Sequence, residues 1–212
     1  MDKIKNIDLV VKKKIIAIIR ADVSKGIEGV VEALCNSGIN IIEISFNTPC
    51  ALQLIEEISK KNENEVLVGA GTVIDSETAV SAISAGSKFI VSPIYKQEIV
   101  KTCLRYNIVS VPGVLTPGEA LTAHEAGADF VKIFPAGNLG PAYIKAIKAP
   151  LPQLQIIPVG GINIDNARAF LESGAAALAI GGSLVSKEDI RIGDYKAIEK
   201  KAKMFVDCIR GS

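Results

Sequence analysis

Eight short runs of aliphatic, mostly β-branched residues recur along the whole chain, at 15–19, 39–45, 66–69, 89–92, 108–111, 130–134, 156–159 and 177–180. The segments between them, such as 29–35, 51–58 and 95–104, carry apolar residues at the three-to-four spacing of a helix face. Strands that alternate with helices build parallel βαβ units. Near-continuous apolar strands are buried on both faces. Eight such units are what a (β/α)8 barrel requires. A doubly wound sheet would carry a glycine-rich dinucleotide loop after its first strand, where this chain reads Arg20-Ala21-Asp22-Val23.

An internal repeat supports that count. Ser37-Gly38, Ala85-Gly86, Ala126-Gly127 and Ser173-Gly174 stand just before the second, fourth, sixth and eighth runs. Each glycine suits the left-handed position that ends a helix. The repeating unit is then two βα modules, and four copies close the ring. Residues 4–14 are expected to form an extra N-terminal helix over the barrel bottom. The segment after Ser183 is expected to form the last helix, with a frayed end at Arg210-Gly211-Ser212. No linker or low-complexity tract interrupts the chain. The expected fold is therefore α/β: a single-domain TIM barrel over residues 1–212, with an additional N-terminal helix.

Composition excludes several functions. Lys+Arg 24 against Asp+Glu 23 gives a net charge of +1, with no basic excess for nucleic acid or an anionic membrane. Hydrophobic residues make up 49%, enough for a large aliphatic core, but aromatics make up only 5%, poor for stacking bases. No apolar stretch approaches the ~20 residues of a membrane span. The start, Met1-Asp2-Lys3-Ile4-Lys5, has no apolar signal run, so a cytoplasmic protein is expected. Cys35, Cys50, Cys103 and Cys208 include no CxxC pair and read as reduced thiols. The single histidine, His124, lies in an outer helix, so neither a histidine-rich metal site nor a catalytic triad is expected.

Chemistry in this architecture sits at the C-terminal ends of the strands. Two charges interrupt apolar runs there: Glu43 in Ile41-Ile42-Glu43-Ile44, and Lys132 in Phe130-Val131-Lys132-Ile133-Phe134. Barrel layers draw on alternate strands, so the second and sixth can place both residues in one layer near the axis. A buried structural ion pair is one reading, though apolar replacements are often as stable. The other is catalytic: a desolvated lysine loses its proton near neutral pH and attacks carbonyls, while a nearby carboxylate moves protons.

Gly160-Gly161 and Gly181-Gly182-Ser183 follow the seventh and eighth runs, where barrels commonly bind phosphate. Backbone N–H groups approach an oxyanion there. Ser183 is expected to cap the following helix and to donate to phosphate. Tight-turn geometry is the alternative for each glycine pair. Gly69-Ala70-Gly71-Thr72 lacks the ending of a P-loop. Either close substrate approach or turn geometry accounts for it, with Thr72 as a candidate hydrogen-bond donor. Asn163 and Asp165 read as helix N-caps.

Taken together, Ile42-Glu43-Ile44-Ser45, Gly69-Ala70-Gly71-Thr72-Val73, Ser92-Pro93, Pro112-Gly113-Val114-Leu115-Thr116-Pro117, Val131-Lys132-Ile133-Phe134-Pro135, Pro158-Val159-Gly160-Gly161-Ile162 and Gly181-Gly182-Ser183 fall in the order of a known family. The chain resembles the 2-keto-3-deoxy-6-phosphogluconate (KDPG) aldolase / 4-hydroxy-2-oxoglutarate (KHG) aldolase family of class I aldolases, over nearly its whole length. The resemblance implies a homotrimeric barrel that cleaves a phosphorylated 2-keto-3-deoxy acid to pyruvate and glyceraldehyde 3-phosphate, without metal or organic cofactor. It implies that Lys132 forms the Schiff base and that Glu43 is the acid/base. It places Thr72, Pro93 and Phe134 in the substrate pocket, and Gly160, Gly161, Gly182 and Ser183 at the phosphate.

Two positions depart from the pattern. Asn47 stands where many members have an arginine that holds the substrate carboxylate, and Ile94 where many have glycine. Arg20, at the end of the first strand, is the candidate to supply the missing charge. KHG remains an alternative substrate. A metal-dependent aldolase, a phosphosugar isomerase or epimerase, and a non-catalytic phosphosugar-binding barrel are weaker readings.

Overall fold

The computed structural model describes residues 3–61 and 65–210. Its strands are β1 (Ile15–Ile19), β2 (Ile41–Ser45), β3 (Leu67–Gly71), β4 (Phe89–Val91), β5 (Val109–Val111), β6 (Gly113–Val114), β7 (Val131–Ile133), β8 (Ile156–Pro158) and β9 (Leu178–Ile180). One sheet runs β5-β4-β3-β2-β1-β9 and a second runs β6-β7-β8, with every named pairing parallel. Pro112 separates β5 from β6 because it has no N–H for a ladder. Its carbonyl still accepts from the Lys132 N–H at 2.8 Å, and Ser110 accepts from Phe130 at 3.2 Å. A single parallel bridge, Val159 to Ala179, links the end of the second sheet to β9.

Helices fill the connections: α1 (Lys3–Lys13), α2 (Ile27–Asn36), α3 (Ala51–Lys61), α4 (Ser76–Ser84), α5 (Gln97–Arg105), α6 (Pro117–Glu125), α7 (Gly140–Lys148), α8 (Ala167–Glu172), α9 (Lys187–Ile192) and α10 (Tyr195–Arg210). The four repeat glycines, Gly38, Gly86, Gly127 and Gly174, all have positive φ, between 88° and 108°. Each ends its helix as the spacing predicts.

Alternation along the strands sorts the core into two layers. Ile16, Ile18, Ile41, Leu67, Phe89 and Val109 share one inner cluster with residues of β8 and β9. Their sequence neighbours, such as Ala17, Ile42, Val68 and Ile90, pack outward beneath the helices. Val10 of α1 joins the inner cluster, and Lys3 pairs with Asp129 at 2.9 Å. The fold is α/β, with parallel strands curving around one apolar interior.

The C-terminal segment departs from the single helix expected after Ser183. It forms α9 and α10, broken at Gly193, which is left-handed (φ 71°). Asp194 then accepts the Ala197 N–H at 3.0 Å and starts α10. Gly211 and Ser212, and with them most of the expected frayed end, lie outside the described residues. Cys35, Cys50, Cys103 and Cys208 are all free thiols. Among the described residues, no helix is long and apolar enough to cross a membrane.

Candidate active site

Glu43 lies mid-strand in β2, between Ile42 and Ile44, which pack outward. Alternation therefore turns its carboxylate into the interior with Ile41. It is 1% exposed, and its Oε2 has no hydrogen-bond partner. The space it occupies is made by β3: a Cβ on Gly71 would overlap Oε1 of Glu43. Lys132 points inward from β7 by the same alternation and is 5% exposed. Its Nζ sits 4.9 Å from the centroid of the Phe134 ring, a contact that favours a cation when the amine is charged.

Burial drives both groups toward their neutral forms. Desolvation pushes the Glu43 carboxyl above the ordinary carboxylate range, and the charges of Lys132 and Arg20 oppose that shift. Desolvation also holds the Lys132 amine below the ordinary lysine range. The Glu43 charge opposes it, and the Arg20 charge adds to it. Glu43, Lys132 and Arg20 thus act on one another electrostatically across the interior. A buried lysine with a depressed pKa, under the electrostatic influence of a carboxyl group whose Oε2 is unpaired among the described residues, is equipped for nucleophilic attack and proton transfer.

Thr72, just past β3, adopts a left-handed conformation (φ 62°), costly for a β-branched residue. Its Oγ1 lies 2.9 Å from Ser45 Oγ, and Ser45 donates to Asn47 Oδ1 at 3.3 Å. With the one Ser45 proton engaged by Asn47, Thr72 is the donor of the pair. Asn47 therefore joins the hydroxyl network at the ends of β2 and β3. Pro93 stands at the end of β4, its carbonyl pressed against Gly113, and the neighbouring Ile94 is exposed.

A cavity of about 510 Å³ opens beside the lysine. Arg20, Phe134, Gly160, Gly161, Gly182 and Ser183 all line it, as the sequence predicts for one site. Gly160 and Gly161 are both left-handed (φ 84° and 77°). The loop after β7 presses on them: the Gly137 N–H donates to Gly160 O at 2.7 Å, and a Cβ on Gly137 would lie 2.8 Å from the Gly161 Cα. Thr72, Pro93, Glu43 and Lys132 do not line this cavity; Phe134 and Arg20 link it to the lysine.

Two capping expectations are corrected. Ser183 donates to Ile162 O at 2.6 Å, and Ser186, not Ser183, caps α9 by accepting the Asp189 N–H. Asn163 accepts from the Asp165 and Asn166 N–H groups and so caps the turn ahead of α8; Asp165 caps nothing. His124 is half-buried in the last turn of the outer helix α6. The structure also brings in cavity residues that the sequence did not single out for binding, Asn163 and Lys187. Their only local signal was a loop following glycines.

The family model for KDPG and KHG aldolase matches residues 7–201. The chain belongs to the KDPG and KHG aldolase family. It is 37% identical to a probable 2-dehydro-3-deoxy-6-phosphogalactonate aldolase of Rhizobium meliloti, over 87% of each chain. It is 35% identical to a 2-dehydro-3-deoxy-phosphogluconate aldolase of Haemophilus influenzae, over 93% of each. Among solved structures, a KDPG aldolase from Legionella pneumophila superposes with a TM-score of 0.85 at 27% identity, covering 93% of this chain and 96% of that one. That enzyme was captured with pyruvate as a covalent carbinolamine. As a member of this aldolase family the chain is a lyase, and a carbinolamine is the step that precedes a Schiff base.

Proposed function

We propose that this protein is a class I aldolase that cleaves 2-keto-3-deoxy-6-phosphogluconate, or its galactonate epimer, to pyruvate and glyceraldehyde 3-phosphate. One observation carries the reading: a buried lysine held below its ordinary pKa shares the interior with a buried carboxylate, next to a glycine-lined cavity. Neutral Lys132 Nζ attacks the C2 ketone to give a carbinolamine, which takes up a proton from solvent and loses water to form an iminium; the final hydrolysis returns that proton. The C3–C4 bond then breaks, and its electron pair flows to the iminium nitrogen to give an enamine. Glu43, directly or through one water, takes the C4 hydroxyl proton, releasing glyceraldehyde 3-phosphate. The same proton returns to C3 of the enamine, and water hydrolyses the resulting iminium to pyruvate and free Lys132.

Arg20, Thr72, Pro93 and Phe134 position the keto acid in this reading, and the backbone N–H groups of Gly160, Gly161, Gly182 and Ser183 receive the phosphate, the Ser183 hydroxyl being held by Ile162. The glycine pair supports the phosphate assignment, because backbone without a Cβ lets an oxyanion approach its N–H groups closely. KHG fits the same lysine chemistry and would yield glyoxylate with pyruvate; the cavity favours the phosphorylated substrate. The reading includes a single domain forming a closed eight-stranded barrel, with β5 and β6 counted as one strand and α1 across its floor. It also includes a cytoplasmic homotrimer. The backbone bonds from β7 to residues 110–114 and the Val159–Ala179 bridge support closure. The test is turnover of both epimers by the intact protein and by Lys132→Ala. The variant is expected to lose at least about 1000-fold in kcat; retained turnover contradicts the assignment.

A further inference from the structure

Among the described residues, the only charged side chains lining the cavity are Arg20 and Lys187. Lys187 opens α9, and its Nζ reaches across to Asp22 in the loop after β1, 2.6 Å from Oδ1. Both partners are more than half exposed. An exposed ion pair of this kind contributes little to stability, so its partners exchange at small cost. Asp22 does not itself line the cavity; its carboxylate reaches the rim only through Lys187, which does.

We propose that Lys187 is an additional phosphate-binding residue, and that Asp22 holds it at the cavity rim when the cavity is empty. On binding, the ammonium exchanges a singly charged carboxylate for a phosphate carrying nearly two negative charges. A charge-assisted hydrogen bond to the phosphate then adds to those from the backbone N–H groups of the glycine loops. Asp22 is in consequence a competitor of the substrate phosphate. It weakens binding of any small anion that cannot displace it, and so favours phosphorylated over carboxylate-only substrates. This inference rests on the phosphorylated-substrate reading above and extends it to two residues outside the family's motifs.

The test uses inorganic phosphate as an inhibitor of aldol cleavage by the intact protein, with Lys187→Gln and Asp22→Asn beside it. Lys187→Gln is expected to raise the phosphate inhibition constant about tenfold. Asp22→Asn, which frees the ammonium, is expected to lower it about threefold. The two substitutions thus move one constant in opposite directions, which a general loss of folding would not produce. Inhibition constants within twofold of the parent in both variants overturn the inference while leaving the phosphate cavity standing. If the parent protein is not inhibited by phosphate, and cleaves phosphorylated and unphosphorylated substrates with equal kcat/KM, the phosphate reading falls and this inference with it.

Discussion

At Lys132 the nucleophile is set by three influences of known sign. Desolvation depresses its pKa, the Arg20 charge depresses it further, and the Glu43 charge raises it. Attack on a ketone requires the neutral amine, so reactivity climbs as pH rises through the folded-state pKa. Glu43→Gln removes the raising influence, so the climb is expected at lower pH than in the parent. Arg20→Gln removes a lowering influence, so the climb is expected at higher pH. The pH dependence of reductive trapping with pyruvate and borohydride measures both. Displacement of both variants in the same direction would contradict this electrostatic account. Glu43 and Lys132 were legible in the sequence because each is a charge inside an apolar run, where burial without purpose is costly. Lys187 and Asn163 carried no such signal. Their place depends on how loops from different strands converge, and no local pattern encodes that.

The elements themselves explain why the carboxylate fits. β3 ends in Gly71, and the absence of a side chain there is what admits Glu43 from β2. Gly71→Ala is expected to displace the carboxylate, lowering kcat at least about tenfold and costing about 1–3 kcal/mol of stability by overpacking. Gly118→Ala, in the first turn of α6 where an added Cβ meets nothing within 4 Å, is the control expected to leave kcat unchanged and to cost no stability, Ala being the better helix former. Enzyme turnover and urea unfolding read the two effects; parent-like values for Gly71→Ala would contradict the packing argument. Strands and their order were legible because a buried parallel strand is an unbroken apolar run. The paired helix-ending glycines marked the boundaries in the same way. The division of the C-terminal segment is harder to see in the sequence, although Gly193-Asp194 spells a stop and a restart. Helical periodicity resumes on the far side and hides the break. Ser183 follows glycines and so has the local pattern of a cap, yet its hydroxyl is spent on Ile162 and Ser186 does the capping.

At the scale of the whole molecule, one interior carries the reactive pair: Val10 of α1 packs into its inner apolar cluster, and burial in it supplies the desolvation on which Lys132 depends. The proposed homotrimer is tested by light scattering in solution, where a particle of three times 22.4 kDa is expected; a monomer mass would remove the trimer and leave the lysine chemistry untouched. The central claim concerns one amine among the 19 lysines of the chain. Incubation with pyruvate and sodium borohydride, followed by peptide mass spectrometry, asks which residue carries the reduced adduct. The account predicts a pyruvyl group on Lys132 alone. An unmodified folded protein, or an adduct on a different lysine with Lys132 free, would contradict it.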